Sequence, residues 1–262
     1  MELLDEVITH TETLEYITMN RRIHALRTLL CTGLATALLS PAVALADYDS
    51  ITYKVTIYNL TAGQPFTPPV IAVHNRRAAI FELGEYANDG VVAIAENGDN
   101  NPLLAALASD SNVFDYAVGD APIVPANNPG DTGFDSIASF TITTDRRNRR
   151  LSLVAMLICT NDGFTGVDSI RLPRHKTTVY ARGYETRTER NTEDFADIVP
   201  PCQGLIGESS DDPGVGQSNP LLAEDGVIIP HVGVIGDNDL QRAVHDWADP
   251  VAKIVIERVR RY

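Results

Sequence analysis

Alternation of apolar and polar residues is the main local pattern in this chain, and it predicts strands. Residues 53–60 alternate and are rich in β-branched and aromatic side chains, which favours a half-buried strand. Residues 151–159 instead form a continuous apolar run of strand length, which is typical of a buried strand. Related patterns predict further strands at residues 70–74, 177–184 and 251–259. The pattern as a whole indicates a mainly β protein.

Two other features complete the predicted architecture. Residues 86–108 have apolar residues that predict two short helices around Asn97-Gly98-Asp99-Asn100. Residues 136–144 and 150–158 predict a hairpin joined by the turn at 145–149. The chain has no internal repeat and no low-complexity linker. We therefore predict a single domain, an antiparallel β-sandwich with short inserted helices.

The first 46 residues have the composition of a segment that is removed after export. Residues 19–46 contain three arginines, an apolar stretch at 29–39 and an Ala44-Leu45-Ala46 cleavage signal, which predicts a Sec-type signal peptide. The apolar stretch is shorter than the roughly 20 residues that a membrane-spanning helix needs. We interpret residues 1–18 as a mis-assigned start region. The prediction is a secreted, periplasmic or cell-surface protein whose folded domain comprises residues 47–262.

Cysteine usage agrees with export. Cys31 would leave with the signal peptide, and Cys159 and Cys202 would remain. Two cysteines in an exported protein usually form a disulfide, although two buried thiols are the alternative.

Charge and missing motifs limit the function classes. The net charge of −14 argues against a nucleic-acid partner, because phosphate binding needs a basic face. The sequence lacks the G-x-S-x-G elbow, the H-E-x-x-H zinc motif and C-x-x-C, so nothing in it indicates an enzyme. His74, His231 and His245 could meet at a transition metal, but scattered histidines are more often structural.

An acidic turn follows the apolar run. Thr160-Asn161-Asp162-Gly163 is a turn signal, and Asp168 follows six residues after Asp162. Carboxylates on such a turn are suitable ligands for Ca²⁺, which binds side-chain and backbone oxygen atoms. The alternative is a polar turn in which Asp162 stabilises its own backbone.

Several motifs, in order along the chain, resemble the spondin domain. The central one is Thr160-Asn161-Asp162-Gly163-Phe164 with Gly166-Val167-Asp168-Ser169. The others are Gly63–Pro69, Ala95-Glu96-Asn97-Gly98, Thr188–Glu193, His231 and Pro250–Ile254. The resemblance extends from about Tyr53 to Arg258, and it implies a β-sandwich with inserted helices.

The resemblance also implies a calcium site. In the family, the Asp that corresponds to Asp162 binds calcium with an Asp of the stretch Tyr-Asp-Ala-Gly-Thr-Glu. Here that stretch reads Tyr184-Glu185-Thr186-Arg187-Thr188-Glu189, so Glu185 replaces Asp and Arg187 replaces Gly. Arg187 could compete with a cation by pairing with a carboxylate. Asp145 is the nearest match to the third acidic ligand of the family, and Asp168 is the alternative by spacing.

These observations predict an exported, non-enzymatic, calcium-binding β-sandwich module that acts in surface or matrix binding or adhesion. Its partner would be an extracellular protein or glycan. One alternative is a secreted glycan-acting hydrolase that uses paired carboxylates such as Asp162 and Asp168, which would have to lie about 5–9.5 Å apart. Another is a structural subunit of a surface assembly, which would need an unpaired strand or a large apolar face.

Overall fold

The structure is a computed structural model that describes residues 50–130 and 132–260. Within these residues the strands are β1 (Ile51–Asn59), β2 (Val70–His74), β3 (Val113–Val118), β4 (Ile137–Thr144), β5 (Arg150–Met156), β6 (Gly163–Arg171), β7 (Lys176–Glu185), β8 (Ile229–Pro230) and β9 (Ala252–Arg258). The helices are α1 (Asp89–Asn97), α2 (Asn101–Ser109), α3 (Pro201–Ile206) and α4 (Arg242–His245).

The predictions for the N-terminal segment fall outside this description. The start region at 1–18, the signal peptide at 19–46 and Cys31 all lie outside the described residues, and the boundary before residue 47 stays a prediction. Among the residues that are described, none of the helices has the length and apolar character needed to cross a membrane.

The strands form one antiparallel sheet in the order β3-β2-β5-β6-β7-β9-β1-β4, and β8 pairs with β7. Strand β7 is shared between two halves of this sheet, because residues 176–181 pair with β9 and residues 182–185 pair with β6 or β8. The edge strands come together where Asp115 Oδ2 accepts hydrogen bonds from the N–H and hydroxyl of Thr143, at 2.7 and 2.8 Å. The sheet is therefore nearly a barrel, which confirms the predicted mainly β, antiparallel sandwich with inserted helices.

The burial of the strands follows their sequence patterns. Tyr53, Val55 and Ile57 alternate along β1 and point into an inner core between the two halves of the sheet. Strand β5 contributes to two cores, because Leu151 and Leu153 join the inner core and the alternate residues join a second one. This double burial explains why β5 reads as a continuous apolar run.

Helix α1 packs on β5 and β6, and helix α2 packs on α1 and β3. The Asn88 side chain caps α1 by accepting hydrogen bonds from the N–H groups of Gly90 and Val91, both at 3.1 Å. Gly98 ends the helix with a φ of +65°, a left-handed conformation that glycine adopts without steric cost. The two predicted helices around residues 97–100 are thus confirmed. Both helices contribute apolar side chains to the second core, which also includes Val154 and Met156 of β5.

The predicted hairpin between residues 136–144 and 150–158 is wrong. Strand β4 pairs with β1, whereas β5 pairs with β2 and β6. The turn at 145–149 therefore crosses from one half of the sheet to the other. Its local sequence resembles a hairpin turn, but the partner of each strand is set by burial: β5 is central and covered on both faces, whereas β4 alternates at an edge.

Candidate functional site

The acidic turn between β5 and β6 is held in place by its own short side chains. Thr160 Oγ1 donates a hydrogen bond to the carbonyl of Leu157 at 2.7 Å and accepts one from the N–H of Gly163 at 2.9 Å. A Cβ atom on Gly163 would lie 2.4 Å from Thr160 Oγ1, so only glycine fits there. This tight turn places the carboxylate of Asp162 in a fully buried position.

A disulfide ties a distant segment to the same turn. The predicted Cys159–Cys202 bond is confirmed, with a Cα–Cα distance of 5.1 Å. Beside it, Asn161 Oδ1 accepts a hydrogen bond from the N–H of Thr192 at 2.9 Å. The turn is therefore fixed to the segments around residues 192 and 202.

The two carboxylate oxygens of Asp162 have different surroundings. Oδ2 accepts hydrogen bonds from Thr188 N–H at 2.9 Å, Glu189 N–H at 3.2 Å and Thr186 Oγ1 at 3.1 Å. Oδ1 is buried and has no hydrogen-bond partner among the described residues. Burial raises the pKa of Asp162 to about 6, although the three hydrogen bonds oppose this shift.

Glu185 lies beside Asp162, as the sequence predicts. In the β6–β7 ladder Gly163 pairs with Glu185, so Asp162, directly before β6, and Glu185, the last residue of β7, lie at the same end of the sheet. Glu185 is 5% exposed, and its Oε2 accepts a hydrogen bond from Asn191 Nδ2 at 2.7 Å. Burial, and then the charge of Asp162, raise the pKa of Glu185.

Two further carboxylates belong to this cluster and were not singled out as ligands from the sequence. Glu189 is 4% exposed and accepts a hydrogen bond from the N–H of Asn219. Burial raises its pKa to about 7, and the charges of Glu96, Asp162 and Asp197 add to the shift. Glu96, in the last turn of α1, is 7% exposed and accepts a hydrogen bond from Ser218 Oγ. Both residues lie in motifs that resemble the spondin domain, and this was the sequence signal that could have identified them as members of the site.

Asp145 is not part of this cluster, which corrects its assignment as a third ligand. It lies in the turn before β5 and accepts hydrogen bonds from the N–H groups of Arg147 and Asn148, both at 2.7 Å. Strand β5 then runs for seven residues toward the Asp162 turn, a rise of about 20 Å. Asp145 therefore lies at the opposite end of the sheet.

Asp168 also lies away from Asp162, so its assignment to the same site is corrected. It occupies the middle of β6, about 15–20 Å along the strand from the turn. Its Oδ1 accepts hydrogen bonds from the N–H of Ile80 at 2.6 Å and from Ser152 Oγ at 2.7 Å. The same separation removes Asp162 and Asp168 as the paired carboxylates of a glycosidase.

Arg187 does not fill the carboxylate cluster. Its Nε donates to Glu224 Oε2 at 2.8 Å, and its side chain is 42% exposed. The φ of Arg187 is +59°, in the left-handed region. This conformation explains why the corresponding position of the family is glycine.

The other candidate ligands do not join the cluster. Between residues 50 and 260, leaving out residue 131, only Asp194, Asp212 and Asp239 form a group in which each offers a ligand atom within 4.8 Å of the others. These three are half-buried, and two of them accept loop N–H groups: Asp194 from Ala196 and Asp239 from Phe195. The three histidines form no such group: His74 bonds Ser152, His231 packs on Trp247, and His245 accepts from Gln241 N–H.

Fold and site together define a disulfide-linked antiparallel β domain with buried carboxylates at one end. Residues 58–182 match the model of the Spondin_N family, which agrees with the resemblance of the sequence to the spondin domain. The matched residues include the acidic turn and end just before Glu185. No curated protein matches the chain. A spondin domain with a disulfide is compatible with an extracellular location.

Proposed function

We propose that this domain is an extracellular binding module whose buried carboxylate cluster holds Ca²⁺. The observation that carries the proposal is Asp162 Oδ1, which is buried beside Glu185 and has no hydrogen-bond partner among the described residues. A buried carboxylate oxygen without a partner is costly, and a bound cation would compensate for that cost.

The chemistry of the surrounding donors supports a hard cation. Asp162 and Glu185 would be the central ligands, and Glu96 and Glu189 supply further carboxylates to the same buried region. The side-chain oxygen of Asn97 is another buried oxygen that lacks a partner among the described residues, and Asn97 Nδ2 donates to Ser218. The carboxylate oxygens and the Asn97 side-chain oxygen are all oxygen donors, which Ca²⁺ prefers. When bound, the cation would offset the mutual repulsion of the carboxylates.

The proposed role of the cation is to order a binding surface. Asp162 already accepts the N–H groups of Thr188 and Glu189, and Glu189 accepts that of Asn219. Neutralising these carboxylates would stiffen the loops that meet at this end of the domain. Loops on a rigid sandwich are the usual place for partner recognition. We propose an extracellular protein or glycan as the partner in surface or matrix adhesion, a role that needs no catalytic group.

The proposal is tested by calorimetric titration of the chelator-treated protein with CaCl₂, together with its melting temperature. Extracellular calcium modules bind at about 10⁻⁴–10⁻³ M, so we expect saturable binding in that range and a higher melting temperature with calcium. Asp162→Asn should abolish most of both effects.

The matched control is Asp168→Asn, which makes the same chemical change on the same strand, away from the cluster. Its amide oxygen can still accept from Ile80, so its calcium binding should equal that of the wild type. Absence of binding by the wild type at millimolar calcium, or an equal loss in both variants, would overturn the proposal.

A further inference from the structure

A basic cleft lies at the end of the sheet opposite the carboxylate cluster. It forms where β1 and β7 begin and β9 ends, and it has a volume of about 580 Å³. That volume is typical of ligand-binding pockets. The charged and titratable side chains that line it are Arg146, Arg174, His175, Lys176, Glu257, Arg258 and Arg260.

The charge of this cleft differs from that of the chain. Five of the lining side chains are Arg or Lys and one is acidic, in a protein with a net charge of −14. The acidic residue, Glu257, lies between Lys54 and Lys176 in the ladders of β9 with β1 and β7. Its carboxylate pairs with Lys176 at 3.5 Å. Glu257 is therefore engaged by a lysine of the cleft, and the cleft keeps an excess of positive charge.

The backbone that carries these side chains is fixed by hydrogen bonds. The buried Tyr53 hydroxyl donates to the carbonyl of Pro173 at 2.7 Å, next to Arg174. The N–H of Arg258 donates to the carbonyl of His175 at 2.7 Å, and the N–H of Val259 donates to that of Thr52 at 2.9 Å. A cleft with a fixed backbone loses less conformational entropy when it binds a ligand.

The positive charge continues along the same rim of the sheet. Residues 145–150, 171–176 and 257–260 together contain nine Arg and Lys residues and two acidic residues, Asp145 and Glu257. They lie where β5 begins, β6 ends, β7 begins and β9 ends, and these strands are consecutive in the sheet. Together with β1, at ordinary strand spacing, this rim is about 20 Å long. A row of cations of that length matches a linear polyanion better than a single small anion.

We propose that this basic end binds an acidic polysaccharide through its carboxylate, sulfate or phosphate groups. Arginine is suited to this task because its guanidinium makes paired hydrogen bonds to such groups. The disulfide indicates an oxidising, extracellular setting, where acidic glycans are common linear polyanions. Among the described residues that line the cleft, none is a Phe, Tyr or Trp on which the bases of single-stranded nucleic acid would stack. This site is separate from the calcium site, and the inference does not depend on it.

The test measures binding of a size-fractionated heparin oligosaccharide to the protein in the presence of a chelator, at several salt concentrations. We expect saturable binding that weakens as salt rises, and no binding of neutral dextran. The double variant Arg174→Ser/Arg258→Ser removes two exposed cations of the cleft and should weaken binding about tenfold or more.

The matched control is Arg190→Ser/Arg242→Ser, which removes the same charge from exposed positions outside the cleft. It should change affinity less than about twofold, in line with the small effect of distant, screened charges. Melting temperatures of both variants verify that they fold, since all four side chains are exposed.

Several outcomes would overturn the proposal. If heparin binding weakened equally in the two double variants, it would depend on the net charge of the protein and not on a specific site. Loss of heparin binding in chelator would mean that heparin binds through calcium at the carboxylate cluster and not through the basic cleft. Equal affinity for single-stranded DNA or for anionic lipid vesicles would make the ligand class wrong, and full competition by millimolar inorganic sulfate would indicate a single-anion pocket. One further outcome would support the proposal and overturn only the calcium function. It is heparin binding in chelator by a wild-type protein that shows no calcium binding.

Discussion

The main-chain carbonyl of Asp162 accepts a hydrogen bond from the N–H of Thr186 at 3.2 Å, and this bond joins the two acidic loops. It continues the β6–β7 ladder one residue past the Gly163–Glu185 pair. The carboxylates of Asp162 and Glu185 are thereby held at one end of the domain by the backbone itself. The proposed site is consequently built into the sheet, so that its disruption should affect stability as well as cation binding.

Stability without calcium should fall as pH rises. The pKa values of Asp162 and Glu189 are raised to about 6 and about 7, so the folded state keeps protons that the unfolded state releases. The free energy of unfolding should therefore decrease between about pH 4 and pH 7. The contribution of Asp162 is on the order of 2–3 kcal/mol. Denaturant unfolding across this range, in chelator, measures the slope.

The comparison of variants isolates this effect. Asp162→Asn should flatten the fall, whereas Asp168→Asn should not. The difference between variant and wild type matters because burial lowers the pKa of His231 to about 4, which adds a contribution of opposite sign between about pH 4 and 6.5. An unchanged slope in Asp162→Asn would mean that its carboxyl is not the group responsible.

Arg187→Gly should strengthen calcium binding. The change removes a positive charge that lies near the carboxylates, where it lowers the pKa of Glu185 and would repel a cation. Glycine also adopts the left-handed φ of this position without the steric cost that a Cβ atom brings, which offsets the loss of the partly exposed ion pair with Glu224. The melting temperature should thus change little. Titration of the variant with CaCl₂ measures the gain.

Arg187→Ala is the control that separates charge from backbone strain. It removes the charge but keeps a Cβ atom at a φ of +59°. We expect it to show the same gain in calcium affinity and a lower melting temperature than Arg187→Gly. Weaker calcium binding in both variants would contradict this account of Arg187.

Loss of the disulfide should destabilise the domain and loosen the site. Cys159 and Cys202 are separated by 43 positions, and the chain-entropy model gives about 4 kcal/mol for a loop of that size. Because Cys159 lies three residues before Asp162, Cys159→Ser/Cys202→Ser should also weaken calcium binding. Unfolding and titration under identical conditions test both effects; a stable variant with unchanged calcium affinity would contradict this role of the disulfide.

Phe164→Ala should be among the most destabilising single changes near the site. Phe164 is fully buried and its ring centroid lies 5.1 Å from that of Phe81 and 5.5 Å from that of Tyr184. Removal of such a side chain typically costs about 3–5 kcal/mol. Phe164→Leu leaves a smaller cavity and should cost clearly less, and chemical denaturation measures both. Equal losses would contradict this account, because they would mean that the lost ring contacts matter and the cavity volume does not.

Much of the local structure could be predicted because it depends on near neighbours. The alternation of Tyr53, Val55 and Ile57 was sufficient for β1, and Gly98 marked the end of α1. The acidic turn could be predicted because Thr160, Asn161 and Gly163 are residue types that favour turns through local interactions. The disulfide followed once Cys31 was assigned to the signal peptide, since only one pairing then remained.

The sequence by itself thus determined most of the strands, the acidic turn, the cysteine pair and the order of the spondin motifs, but it did not predict β3. The tertiary structure alone decided which strands pair, so that β4 joins β1 and the expected hairpin does not form. It also brought Glu96 and Glu189 to Asp162, moved Asp145 and Asp168 away, and gathered the arginines at the opposite rim. The physical reason is that periodicity reports only which face of a segment is buried. The partner strand can lie far away in the sequence, as Tyr53 and Arg258 of β1 and β9 do, and it is chosen by the packing of the whole core.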